Sequence, residues 1–274
     1  MPANFPSSLR TILGLGCTAA CLLSTSAMAD YRAQVELQHD SVRFIGGGDP
    51  KQDVFLAEAT YYLQDVSEDN SLPYSTLAFT GRATSVFVGR AEARGFADAA
   101  ATGIGGRWVQ SDSGFIAELG YAQGDSDTAD IASIGVGMYV AKNQAVVASY
   151  REIDAEVDGA DQDFIELRYN GVLDAAEGHT ELGLALSYSD DNDDNEFTWQ
   201  GDVTYYPVRN LGFGLTVGEV LSDLGGETDI LGLQVEMFPV SAVAVMFGYE
   251  VLGLDGSEDF DDVKSFSVGV TGRF

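Results

Sequence analysis

Cysteine is almost missing from this chain: of 274 residues only Cys17 and Cys21 are cysteines, and both fall within the first 29. From residue 30 onward a disulfide, thiolate chemistry or a cysteine-based metal site is therefore excluded. Positive charge is scarce as well, with 14 Lys+Arg against 43 Asp+Glu and a formal net charge of −29. Bulk acidity on that scale argues against nucleic acid or an anionic lipid surface as a partner, since a polyanion is repelled by both. Long apolar runs are lacking too. The stretch from Thr11 to Leu23 falls short of the roughly 20 residues that a membrane-spanning helix needs. What remains is 45% hydrophobic with 32 Gly, which is too apolar for a disordered chain.

The first 29 residues do not belong to the fold. Arg10, the apolar stretch Thr11 to Leu23 and the tripeptide Ala27-Met28-Ala29 supply the basic, apolar and small-residue parts of a secretory signal. The rival is a lipoprotein acylated at Cys21, but Thr18-Ala19-Ala20 lacks the leucine usual three places before such a cysteine. Residues 30–274 are then the folded domain. Since Arg10 is the only charged residue removed, its net charge is close to −30.

That domain reads as all-β. Its four prolines, Pro50, Pro73, Pro207 and Pro239, sit between apolar runs, where a residue unable to donate to a ladder belongs. The runs have period two. At the end of the chain Phe266, Val268, Val270, Gly272 and Phe274 share one face, while Ser265, Ser267, Gly269, Thr271 and Arg273 share the other. The same alternation recurs upstream, for example Leu231, Leu233, Val235 and Met237 against Gly232, Gln234 and Glu236. One segment, Ser85 to Arg94, is ambiguous in phase: Val86 and Val88 compete with Phe87 and Gly89 for the apolar side. The count is fourteen strands, with twelve and sixteen as the neighbouring even numbers.

Alternation alone fits a soluble sandwich or a barrel in lipid, and three observations select the barrel. Short connections such as Gln110–Gly114, Ala141–Gln144, Pro207–Asn210 and Pro239–Ser241 alternate with longer acidic ones such as Gly124–Asp130 and Leu252–Asp262. Outer-membrane barrels have short inner turns and longer outer loops. Aromatics end the apolar faces at two levels: Tyr121, Tyr150, Tyr188 and Tyr249 on strands read as rising, Tyr61, Tyr169 and Tyr205 on strands read as descending. Those are the two interfacial girdles. Third, an alternating strand closes on Phe274. This resembles the C-terminal signature of Gram-negative outer-membrane β-barrels, which the barrel assembly machinery reads. The expected fold is a transmembrane antiparallel up-and-down β-barrel.

The segment Leu72 to Val88, LPYSTLAFTGRATSVFV, is similar to an early segment of a proteobacterial porin family, departing from its pattern at Thr76-Leu77-Ala78. Length and strand rhythm agree. The resemblance implies a channel for passive diffusion and supplies no catalytic residues.

Function then falls to the lumen and the loops. Inward positions are often small: Gly135, Gly137, Gly183, Ala185, Gly214, Gly232, Gly248 and Gly269. They leave room for an open aqueous channel, or else they relieve curvature and packing in the wall. The charged residues expected to line the pore are Arg32, Glu36, Glu58, Arg107, Glu118, Arg151, Glu166, Arg168, Glu181, Asp202, Glu236, Glu250 and Arg273. They either set a transverse field, as in general porins, or neutralise each other as salt bridges within the wall. With acids in excess, the expected preference is for cations.

Acidic clusters at Asp190, Asp191, Asp193, Asp194 and Glu196, and at Asp255, Glu258, Asp259, Asp261 and Asp262, read as solvated loops, because no calcium-loop spacing is present. His39, beside Asp40 and Ser41, and His179 fall at opposite ends of the barrel and cannot form a triad. Gly46-Gly47-Gly48 is a loop and not a phosphate-binding turn. Gln64 to Thr84 reads as an extended periplasmic loop in preference to a plug of the lumen, so its partial deletion should leave conductance unchanged.

The sequence therefore points to a porin-like channel without enzyme activity, cofactor or metal. The partners expected are outer-membrane lipid, lipopolysaccharide and the assembly machinery, and a homo-oligomer is compatible. The alternative is a non-conducting structural or ligand-binding barrel.

Overall fold

A computed structural model describes residues 30–45, 50–67, 71–95, 98–125, 129–155, 162–191, 194–223, 227–255 and 262–274. The proposed export segment 1–29, Gly46–Gly48, Asp193, Glu258, Asp259 and Asp261 lie outside the described residues. The strands are β1 (Asp30–Ile45), β2 (Lys51–Ser67), β3 (Ser85–Gly95), β4 (Ala99–Val109), β5 (Phe115–Gly124), β6 (Ala129–Ala141) and β7 (Gln144–Ala155). They continue as β8 (Gln162–Asp174), β9 (His179–Asp191), β10 (Asp194–Val208), β11 (Leu211–Ser222), β12 (Glu227–Val240), β13 (Val243–Asp255) and β14 (Asp262–Arg273). Each pairs antiparallel with its sequence neighbours, and β1 pairs with β14 to close a fourteen-strand barrel. Leu37 opposite Val270 and Val35 opposite Gly272 belong to the closing register. Closure leaves no edge, so the backbone polar groups are satisfied within the wall, as a bilayer requires.

The two faces differ as the period-two pattern demands. Leu119, Ile165 and Ile104 are each more than 60% exposed. Side chains of that kind project outward around the whole barrel, where lipid would cover them. The ambiguous strand is settled by packing: Val86 and Val88 point outward. Phe87 points inward over Gly105, where an added Cβ would run into its ring.

Alternation breaks at the inner ends. Register shifts lie between Tyr31 and Ala33, Tyr139 and Ala141, Tyr205 and Val208, and Met237 and Val240. Bulges of this kind re-aim side chains at a barrel rim. Here Tyr206 and Phe238 turn inward at 2% exposure, while Val208 and Val240 return to the exterior.

The connection between β2 and β3 corrects the sequence reading. It is not a peripheral loop: a 3-10 turn (Tyr74–Thr76) runs into one turn of helix, α1 (Leu77–Thr80), across the inner end of the lumen. Leu72, Leu77 and Ala83 are buried with Tyr31, Tyr62 and Val66 on one side and with Val172 of β8 on the other. Phe79 reaches a second cluster of Val109, Ile116, Tyr139, Ala145 and Val147. Complete burial of a leucine is worth about 2 kcal/mol, so these contacts account for a fixed position despite so little regular structure.

Candidate functional site

The lumen wall carries charge unevenly. On β4, β5 and β8, the Arg107 guanidinium lies 3.0 Å from Glu118, and Arg168 lies 2.6 Å from Glu118 and 2.7 Å from Glu166. Glu118, Gly135, Ser149 and Glu166 are successive partners across β5 to β8. Arg168 therefore spans two strands, over small residues, to reach Glu118. Arg151 stacks over Phe164 at 5.2 Å. This arc holds its cations in a wall-bound network.

The opposite arc, from β9 round to β2, is acidic. Glu36 accepts from Gln34 at 2.8 Å, Asp40 from Gln38 at 2.7 Å and Glu58 from Thr60 at 2.8 Å. Asp202 accepts from Thr216 at 2.8 Å and from Gln200 at 3.2 Å. The Tyr206 hydroxyl lies 3.3 Å from Glu181 and 3.1 Å from Glu236. Glu250 approaches Gly232 closely enough that an added Cβ would lie 3.6 Å from its carboxylate. Neutral donors hold six of these seven carboxylates, with Arg273 of β14 near Glu36 and Glu236, whereas Glu118 and Glu166 are held by arginines. The two facing arcs thus differ in charge balance, one internally paired and the other acidic.

The small inward residues fall where neighbouring side chains lie flat against the wall. A Cβ on Gly183 would approach the Asp202 carboxylate, and one on Gly214 would meet Thr204 and Gln234. At these positions the small residue makes room for packing in the wall.

The plug is held by Arg273, which the sequence reading placed in the lumen, and by groups it had not singled out. Arg209 donates to the Leu72 carbonyl and stacks over the Tyr74 ring at 4.0 Å. Arg273 donates to the Tyr74 carbonyl at 2.8 Å and lies 5.0 Å from the Phe238 ring. Ser75 donates to the Tyr206 hydroxyl at 2.8 Å, and the Tyr139 hydroxyl donates to the Phe79 carbonyl at 2.6 Å. Arg82 stacks over Tyr139 at 4.6 Å. One signal was available: Tyr62, Tyr139, Tyr206 and Phe238 are bulky aromatics on the polar phase, all at inner strand ends.

Twelve of the thirteen charged residues expected in the lumen face inward; Arg32 does not. The bulge beside it turns Tyr31 into the lumen at 7% exposure and leaves Arg32 on the exterior, paired with Asp65. Glu196, read as a loop acid, faces inward at 2% exposure. His39 stacks on Phe55 on the outer wall, 3.2 Å from Asp53. His179 pairs with Asp174 at an inner turn. The two histidines share no site. Among the described residues one acidic trio, Glu219, Glu227 and Asp229, brings carboxylate oxygens within 4.8 Å of one another. It lies on the exterior of β11 and β12, apart from the lumen. The described helix α1 is far too short to cross a membrane, and the described residues include no helix long and apolar enough to do so.

No family model matches the chain, and no curated protein matches it. Solved structures do. The outer membrane protein Omp33 of Acinetobacter baumannii superposes with a TM-score of 0.66 at 18% identity, over 90% of this chain and 99% of that one. A bacterial polysaccharide outer membrane secretin superposes at 0.55 and 10% identity, over 89% and 99%. Both likenesses concern the fold. With its closed antiparallel sheet, apolar exterior and charged interior, the chain has the fold of these outer-membrane β-barrels.

Proposed function

We propose that the barrel is a passive channel for ions and small hydrophilic solutes, and that it prefers cations. The observation that carries this reading is the acidic arc. Glu36, Asp40, Glu58, Glu181, Asp202 and Glu236 face the lumen with neutral hydrogen-bond partners and Glu250 joins them on β13, whereas Arg107 and Arg168 opposite are engaged by Glu118 and Glu166. A wall with uncompensated carboxylates raises the local concentration of cations and lowers that of anions. Selection is by width and wall charge, with no chemical step and no cofactor. The reading also implies export through segment 1–29, insertion by the assembly machinery through the Phe274 end, and a surround of outer-membrane lipid and lipopolysaccharide; a homo-oligomer is compatible with it.

The test is the reversal potential of purified, refolded protein in planar bilayers across a salt gradient. The expected sign is that of a cation-selective pore, and the anion-selective sign would overturn the proposal. The plug favours a second reading, a non-conducting structural or binding barrel. Bilayers that stay silent, with normal heat-modifiable migration on gels, would support that one.

A further inference from the structure

Cations are few enough in this chain that their positions carry information. Arg10 aside, thirteen Lys and Arg are present. Of these, Arg107, Arg151, Arg168 and Arg273 face the lumen, Arg82 and Arg209 hold the plug, Lys142 is in an inner turn and Arg32 is at the inner exterior. The remaining five, Arg43, Lys51, Arg90, Arg94 and Lys264, are all on the exterior near the outer ends of four adjacent strands, β14, β1, β2 and β3. Lys264 and Arg43 are direct cross-strand partners. The Phe44 amide donates to the Pro50 carbonyl at 3.1 Å, which places Arg43 beside Lys51. Arg94 is opposite Asp53, diagonal to Lys51. Four cations from four strands thus form a band, with strands about 4.8 Å apart.

The band lies beyond the apolar belt. Arg43 and Lys264 are two residues further out than the Ser41–Phe266 pair, about 7 Å along the strand. Below lie Phe266, Tyr249, Phe55 and the His39 ring stacked on it. Beside β3, Arg90 caps a depression of about 340 Å³ on the lipid side, lined by Val88, Thr102, Ile104, Tyr121, Gln123 and Asp125. Elsewhere the outer exterior rim is acidic: Asp130, Glu152, Asp154 and Asp163 on β6 to β8, and Glu219, Glu227 and Asp229 on β11 and β12.

We infer that this sector docks a phosphate-bearing lipid of the outer leaflet, with its phosphates on the Lys264–Arg43–Lys51–Arg94 band and an acyl chain along the apolar wall below. Among the described residues the carboxylates of the sector include Asp262, 3.1 Å from Lys264, Glu92, 2.6 Å from Arg94, Asp125, 2.7 Å from Arg90, and Asp53 beside His39, and Arg43 is partnered too. These pairs are solvent-exposed, and exposed pairs hold their partners weakly. A phosphate with up to two charges offers Arg and Lys a stronger, charge-assisted partner. The chain's total charge argues against an anionic lipid surface; its distribution gives that surface one place to bind without a bridging cation.

The test uses the full barrel, delipidated in detergent, with diphosphorylated lipid A or its dephosphorylated form added in the presence of EDTA and retention read by native mass spectrometry. The wild type is expected to retain the phosphorylated form about tenfold better. Arg43→Gln/Lys51→Gln/Arg94→Gln/Lys264→Gln should lose that preference, while Glu219→Gln/Glu227→Gln/Asp229→Asn should keep it. Should the fourfold variant not fold, Lys51→Glu alone must lower the preference. A preference that survives these changes, or one abolished in the wild type by EDTA, overturns the inference. The EDTA result would assign lipid contact to cations bridging the acidic sector.

Discussion

Arg168 shows how one side chain sets the balance of the lumen. Its guanidinium pairs with Glu118 and Glu166 together, so Arg168→Gln leaves Glu166 uncompensated and Glu118 with one cation in place of two. Arg107 remains on Glu118, and partly exposed pairs contribute about 1 kcal/mol or less, so the fold should persist. The expected outcome is a higher cation-to-anion permeability ratio, read from the reversal potential, with little change in the unfolding midpoint. Tyr206 tests the other arc. Its hydroxyl accepts from Ser75 of the plug and lies within bonding distance of Glu181 and Glu236. Tyr206→Phe keeps the ring but leaves those groups with one partner fewer, a loss of about 1–3 kcal/mol in a buried site. Single-channel recordings should show longer or more frequent openings if the plug is what that hydroxyl secures; unchanged gating would assign it to the wall alone.

At the scale of elements, the channel reading predicts that the inner plug has the largest effect on permeation. Leu72 to Ala83 crosses the inner mouth on two apolar clusters, four hydrogen bonds and two arginine–ring contacts. Replacing it by a Gly/Ser linker of equal length should raise conductance severalfold in planar bilayers, with heat-modifiable migration retained because the strand ladder is untouched. Unaltered conductance would place the ion path elsewhere. The strands themselves were legible in the sequence because alternation is a local signal: Phe266 to Phe274 shows its faces without knowledge of any neighbour. The plug was not, since its position depends on Val172, Arg209 and Phe238, each far away in the chain, and one turn of helix leaves no periodic trace. Arg32 failed for a related reason. A bulge adds one residue to a strand, and period-two counting carried across it assigns every residue beyond it to the wrong face. For β3 the deciding contact was Phe87 over Gly105, which pairs a side chain with a gap on the next strand.

For the whole molecule the central fact is the inversion of the two faces, apolar outside and charged inside, and adjacent residues test it directly. Leu233 is 59% exposed near the middle of β12; Gln234, its neighbour in sequence, lies against Gly214 inside the barrel. In a soluble sandwich the leucine side would be the core and the glutamine side would face water. In the barrel the leucine side meets hydrocarbon, where an arginine at the midplane costs about 2–4 kcal/mol. On the lumen side an arginine meets water and the carboxylates of the acidic arc. Leu233→Arg should therefore lower the unfolding free energy in lipid vesicles by that amount. Gln234→Arg should leave stability within about 0.5 kcal/mol, the usual range for a solvated position, while shifting selectivity toward anions. Equal destabilisation by both would mean that the lumen is too tightly filled to carry solute. A larger cost at Gln234 than at Leu233 would reverse the assignment of inside and outside on which the channel reading depends.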